Sequence, residues 1–410
     1  MSRSARWLSL FLLLALFVSF LPAHAQDPQP PTTPIAEATD EWTDAPYDAR
    51  RPGAKERHAE LDRRRQQQRA RQEAAQDTGG ALLSAGVSEG STEIVSRSSS
   101  GTLGNGWSLY PSISADGRSV DFASYATNLV PGDTNNRKDI FVRDRETGTT
   151  VRVSVSSSGT QSNGYSQEPS ISADGRYVAF SSFATNLVSG DTNSRGDVFL
   201  RDRDADGDGI FDEAGSVSTI LVSLANSGAQ GNDDSWCPAI YGDGQYVAFY
   251  SYATNLVSGD SNADADIFVY DRLAAAGQRL ARVSVGAGGS QGNDGSWSPS
   301  ISADGRYVAF ESWASNPVSG DTNGKDDIFV HDRQMSETIR VSLGASAGNA
   351  DGHSTWPAIS ADGRTVAYSS WAANLVPHDT NECDGWTDGH CMDVFVYDMQ
   401  SDETTRVSVA

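Results

Sequence analysis

The chain has 410 residues, with 54 Asp and Glu against 31 Lys and Arg and a formal net charge of −23. The excess sits in residues 78–410, which hold 20 Lys and Arg against 43 Asp and Glu. A body this acidic repels phosphate backbones and anionic lipid, which disfavours both as partners and leaves it compatible with divalent cations.

Arg3 and Arg6, the apolar run at 7–21 and the small residues Ala23 and Ala25 form the pattern of a cleaved secretory signal over residues 1–25. The run is short for an anchor, so no membrane insertion is expected, and the protein is placed in the periplasm or outside the cell. Residues 26–85 are rich in Pro, Gln and Arg. Between Arg50 and Gln76 there are nine Lys and Arg, four Asp and Glu, and no apolar stripe. A disordered spacer is expected there, with a basic arm for an anionic surface as the alternative.

From residue 86 onward one unit repeats. YPSISADGRSVDF (110–122), EPSISADGRYVAF (168–180), CPAIYGDGQYVAF (237–249), SPSISADGRYVAF (298–310) and WPAISADGRTVAY (356–368) align, and each unit continues through a D-T-N-like loop to DIFV, DVFV or DVFL and closes on VSV or VSL. Pro111, Pro169, Pro238, Pro299 and Pro357 are spaced by 58, 69, 61 and 58 residues. The periodicity is two, and the Asp-Gly turn between two short apolar runs predicts a hairpin. Four short antiparallel strands per unit, repeated radially, predict an all-β propeller over 86–410. Five four-stranded blades are favoured. The strand-like segment 92–101 is expected at the seam between the first and last blades, and a six-bladed ring completed otherwise is the alternative.

The S-x-S-A-D-G-R-x-V-A-F core resembles the TolB-type propeller repeat, a relative of the tryptophan–aspartate repeat. The resemblance implies fold much more than function.

The 69-residue spacing marks an insertion, DADGDGIFDE at 204–213. Asp204, Asp206, Asp208 and Asp212 fit D-x-D-x-D-G-x-x-D, with the Ile210 carbonyl as a further oxygen, and calcium takes six to eight such ligands. An EF-hand would need Glu where Gly215 stands, and helical flanks where these are strand-like. The loop resembles the calcium hairpins of integrin-type propeller blades, and a structural calcium is expected. A solvated acidic tip is the alternative.

The recurring G-D-T-N-x-x-x-D loops (Asp133, Asn135 and Asp139 in the first unit) are expected to fold as Asx-turns rather than as catalytic groups. Tyr125, Phe183, Tyr252, Trp313 and Trp371 recur at one position, and Trp107, Trp236, Trp297 and Trp356 precede the first strand of four units. They are candidates for a ligand face, or for wedges between blades. Cys383 and Cys391 bracket an insertion and are expected to form a loop disulfide after export. With His390 they offer too few ligands for zinc. Cys237 is expected as a small buried hydrophobe.

G-x-S-x-G occurs at 86–90 (GVSEG) and 344–348 (GASAG) without the strand-to-helix setting of a nucleophile elbow, and no phosphate loop or H-E-x-x-H is present. The expectation is a monomeric binding or scaffold module for a protein or an envelope glycan. The alternative is a carbohydrate-active hydrolase or lyase with its site at the central channel. An enzyme should carry an asymmetric cluster of acids near the axis, and a scaffold a near-symmetric ring of small and polar side chains.

Overall fold

Every repeat begins with a hairpin whose turn is held by its own side chains. In the first, Ser114 Oγ donates to Asp116 Oδ1 at 2.6 Å, the same carboxylate accepts the Arg118 N–H, and Gly117 takes a φ of 71°. Ser172–Asp174, Ser302–Asp304 and Ser360–Asp362 repeat the hydrogen bond. The turn closes locally and sets the register of the two strands beside it.

The computed structural model describes residues 92–380 and 391–409, which belong to the second of two units, 81–410. The signal and spacer expected before residue 86 lie outside the described residues.

Five four-stranded antiparallel sheets follow in chain order. Blade 1 is β1 (Ser108–Ile113), β2 (Ser119–Ser124), β3 (Asp139–Asp144) and β4 (Thr149–Arg152). Blade 2 is β5 (Ser166–Ile171), β6 (Tyr177–Ser182), β7 (Asp197–Asp202) and β8 (Ser218–Leu221). Blade 3 is β9 (Ser235–Ile240), β10 (Tyr246–Ser251), β11 (Asp266–Asp271) and β12 (Leu280–Arg282). Blade 4 is β13 (Ser296–Ile301), β14 (Tyr307–Ser312), β15 (Asp327–Asp332) and β16 (Glu337–Arg340). Blade 5 is β17 (Ser354–Ile359), β18 (Thr365–Ser370), β19 (Asp393–Asp398) and β20 (Glu403–Arg406). The first strands β1, β5, β9, β13 and β17 adjoin one another in succession, which places them innermost and makes the architecture a β-propeller of five four-stranded blades.

The second and third strands carry the core. Phe122 faces Phe141 across the β2–β3 ladder, and the rings stack at 5.9 Å. Phe180–Phe199, Phe249–Phe268, Phe310–Phe329 and Tyr368–Phe395 do the same. Each of these rings is almost fully buried, worth roughly 1.5–3 kcal/mol of transfer free energy apiece. In blades 1 to 4 the opposite face of the second and third strands packs on the next blade: Ala123, Ile140 and Val142 of blade 1 meet Ile171, Val178 and Phe180 of blade 2.

The outer ends are closed by ion pairs. Burial works against an ionised Asp144, but the Arg118 guanidinium and the N–H groups of Thr147 and Glu146 hold its carboxyl down to about 2. Arg176–Asp202 and Arg306–Asp332 repeat the pair. Blade 1 alone puts an acid, Asp121, where the other second strands have Ala179, Ala248, Ala309 and Ala367. Asp121 is fully buried, one oxygen accepts the Ser112 N–H, and burial pushes its carboxyl up to about 7.

Candidate functional site

The innermost strands share one irregularity. Their pairing with the second strand slips at a bulge, and the residue before each proline has a left-handed φ: Tyr110 (54°), Glu168 (53°), Cys237 (48°), Ser298 (51°) and Trp356 (53°). A proline has no N–H for the ladder, so an interruption next to it loses little. The left-handed residue costs about 1–2 kcal/mol each time. The backbone is therefore constant while the side chain changes from Tyr to Glu, Cys, Ser and Trp. The axis is not the near-symmetric ring of small and polar side chains that a scaffold was expected to show.

Two acids serve this column, Glu168 within it and Glu311 on β14. The Cys237 N–H donates to Glu168 Oε2 at 3.0 Å, and the Trp356 N–H donates to Glu311 Oε2 at 2.8 Å. Burial pushes the Glu168 carboxyl up. It also pushes the Cys237 thiol well up, helped by Glu168 and Glu311 and opposed by the Tyr250 phenol beside it. Cys237 is half-buried and free, and packs against the core shared by blades 3 and 4. Each carboxylate serves the backbone of the following blade, so the cluster is first of all a tie between blades.

The four tryptophans grouped in sequence occupy different places. Trp236 and Trp297 lie buried within β9 and β13, Trp356 is a bulge residue, and Trp107 is exposed before β1. The recurring aromatic column sits just after the second strand and faces the next blade. Phe183 meets Trp236 edge-on at 4.9 Å, Trp297 Nε1 donates to the Tyr252 hydroxyl at 3.1 Å, and Trp313 lies 5.8 Å from the His353 ring. Tyr125 is 5.7 Å from the Lys138 ammonium, Trp371 is buried, and Phe183 is the exposed member.

In the D-T-N loops Asn135 Oδ1 accepts the Arg137 N–H and its amide donates to Asp139. Asp139 in turn accepts Ser154 Oγ at 2.5 Å, a bond repeated by Ser223–Asp197, Ser284–Asp266, Ser342–Asp327 and Ser408–Asp393. These carboxylates pin the third strand to the fourth.

In the acidic insertion, carboxylate oxygens of Asp204, Asp206 and Asp208 lie within 4.8 Å of one another. Asp204 accepts the N–H groups of Asp208 and Gly209, Asp208 accepts that of Ile210, and Asp206 accepts the Ser216 hydroxyl, which lowers its pKa. Three oxygen donors of this kind suit a hard cation. Asp212, expected beside them, is turned to Arg203 in a two-pronged pair at 2.5 to 3.2 Å. The arginine at the end of the third strand competes for it, so the described cluster has three acids rather than four. Cys383 and His390 lie outside the described residues.

The junction between blade 5 and blade 1 differs from the other four. Ile171, Ile240 and Ile301 are 2–4% exposed where they meet the preceding blade, but Ile113 of blade 1 is 54% exposed. Ile140, Val198, Ile267 and Ile328 are fully buried against the following blade, but Val394 of blade 5 is 40% exposed. Ala115 and Ala173 each donate a backbone hydrogen bond to the turn of the next blade, as does Ala303 to Ala361. Among the described residues no such bond joins Gly242 to Ala303 or Ala361 to Ala115, so the apolar side chains, not this bond, set the junction apart. The segment 92–101, expected between the two blades, contacts blade 1: Val95 packs near Phe122, and Thr150 bonds Arg97 and Ser99.

No family model matches this sequence, and no curated protein matches it. Solved structures of similar fold include TolB from Acinetobacter baumannii (15% identity, 74% of this chain and 54% of that one, TM-score 0.40). A putative TolB from Agrobacterium tumefaciens is 16% identical over 74% of this chain and 80% of that one, with a TM-score of 0.41. An oligogalacturonate lyase in complex with manganese is 12% identical over 74% and 65%, with a TM-score of 0.42. The propeller assignment rests on the sheet topology itself. Among the described residues no helix is long and apolar enough to cross a membrane.

Proposed function

We propose that this chain is an exported binding module whose propeller offers the blade 5–blade 1 seam to a protein partner. One observation carries the reading: apolar positions that are buried or half-buried at the internal junctions stand open there, with Ile113 on one side and Val394 and Val407 on the other. Open apolar positions on an otherwise strongly acidic body fit a neutral or basic protein surface better than a charged polymer. A calcium ion held by Asp204, Asp206 and Asp208 belongs to the proposal as a brace of blade 2, and a Cys383–Cys391 disulfide as a brace of blade 5.

The test places a photo-crosslinking side chain at position 394 of the full chain and exposes it to envelope extract. Capture of a discrete protein that disappears with Ile113→Asp, at an unchanged thermal midpoint, supports the proposal. Capture that survives the substitution, or no capture, sinks it.

A second reading, a carbohydrate-active enzyme working at the channel, draws on the asymmetric group Glu168, Cys237, Tyr250 and Glu311. Both carboxylates already accept backbone N–H groups, and the thiol is held protonated, so none is poised as base or nucleophile. Turnover of an envelope glycan that Glu168→Gln abolishes would reverse this order of preference.

A further inference from the structure

In four blades an arginine lies between the two aspartates of the D-T-N loop. Arg152 reaches Asp133 and Asp139 at 3.3 and 3.5 Å, and Arg282 reaches Asp260 and Asp266 at 3.8 and 3.1 Å. Arg340 reaches Asp321 and Asp327 at 2.9 and 3.1 Å, and Arg406 pairs with Asp379 and Asp393. Each arginine stands opposite the third-strand phenylalanine: Phe141, Phe268, Phe329 or Phe395. In blade 2 the residue opposite Phe199 is Leu221. Asp191 and Asp197 are both buried there, without the guanidinium their counterparts share.

At this place a groove of about 650 Å³ opens between blade 2 and blade 3, lined among others by Asp191, Gln230, Leu221, Leu224, Tyr270 and Arg279. The Gln230 amide reaches Asp191 only at 3.3 Å. Arg279 is spent on the Tyr270 hydroxyl and the Ala274 carbonyl, at 3.1 and 3.2 Å. The groove thus pairs an apolar wall, suited to an aliphatic stem, with a buried carboxylate at its base.

We propose that this groove binds a guanidinium group carried on an aliphatic stem, free or as an arginine side chain of a peptide, seated on Asp191 as the internal arginines are seated in the other four blades. Guanidinium is the expected head group because arginine is what occupies the corresponding place in the other four blades, its Nη1 shared between the two carboxylates. The site is separate from the seam and does not depend on it.

The experiment titrates the full chain, by calorimetry, with Nα-acetyl-arginine amide and with a Gly-Arg-Gly peptide. The matching citrulline compounds, equal in shape and uncharged, serve as controls. Saturable binding of the arginine probes and none of the citrulline probes is expected. Stronger binding of the peptide would identify a peptide ligand, and equal binding a free guanidinium compound. Leu221→Arg should fill the place from within and abolish binding, and Asp191→Asn should weaken it roughly thirtyfold or more. Binding of citrulline equal to that of arginine, persistence in both variants, or no saturation at millimolar probe overturns the proposal. Should Leu221→Arg fail to fold, Asp191→Asn decides alone.

Discussion

The Glu168 carboxylate of blade 2 accepts the backbone N–H of Cys237 in blade 3, across the innermost strands, at 3.0 Å. The donor sits on a left-handed bulge that cannot find a ladder partner, so the glutamate supplies what the sheet withholds. Glu168→Ala leaves that N–H without its acceptor and should cost about 1–3 kcal/mol in urea unfolding, whereas Glu168→Gln keeps an acceptor oxygen and should cost well under half as much. Equal losses in the two variants would show that the tie matters little.

The same neighbourhood holds the Cys237 thiol in its protonated form, first through burial and then through the nearby carboxylates. Iodoacetamide at mildly alkaline pH should therefore label Cys237 far more slowly in the native chain than in guanidinium, since only the thiolate reacts. Native labelling at the rate of a free thiol would contradict the placement.

Stability should peak on the acid side of neutrality. Asp121 is pushed up to about 7 and Asp197 to about 6, both by burial, and Asp191 and Asp234 add repulsion at Asp197. The folded state then holds protons that the unfolded chain has released, so stability falls as pH rises from near 4 through these values. Asp144, held down to about 2, works in the other direction and weakens the fold only below about pH 4. Thermal midpoints measured across this range should decline above about pH 5. Asp121→Asn should flatten the part near neutrality, and Leu221→Arg the part near pH 6, by giving Asp197 the cation its counterparts have. A flat profile in the wild-type chain would refute both assignments.

Turn glycines make a graded comparison between a closed junction and the open one. A methyl on Gly244 would overlap the Tyr177 ring of the preceding blade, at a φ of 75°. One on Gly117 meets only its own blade, at 71°. Gly117→Ala should cost the conformational penalty alone, about 1–2 kcal/mol. Gly244→Ala should cost more by about 1–3 kcal/mol of overpacking, read from denaturant midpoints. Equal costs would mean that Gly117 also has a blade against it.

For the acidic hairpin the expected outcome is a lower thermal midpoint on adding chelator, lost in Asp206→Ala with Asp208→Ala. An unchanged wild-type midpoint would leave Asp204, Asp206 and Asp208 as a solvated tip.

The blades were legible in the sequence because a strand–turn–strand unit is specified within a dozen residues, by alternation and by an Asp-Gly turn. The seam was not, because ring closure depends on the angle between blades, which no single strand encodes. The tryptophans occupy unlike places for a related reason: the bulge shifts facing by one residue, so Trp297 and Trp356, one place apart in the repeat, point into different surroundings. Asp212 fitted a ligand pattern, but a pattern does not reveal that Arg203 competes for the same carboxylate. Leu221 was visible as the one repeat in which the arginine of T-x-V-R-V-S-V is missing, a signal that means little until the two buried aspartates are seen beside it.

The inner-strand bulge separates backbone demand from side-chain identity. A left-handed step followed by proline fixes the path of the strand in all five blades, and the residue making that step has been Tyr, Glu, Cys, Ser or Trp without disturbing the register on either side. The central axis is therefore a set of five separately addressable positions on a constant frame. Point substitutions there can rewrite what the channel presents, leaving loops, length and blade packing as they are. Duplication of such a repeat copies the frame and leaves one residue per copy open to change.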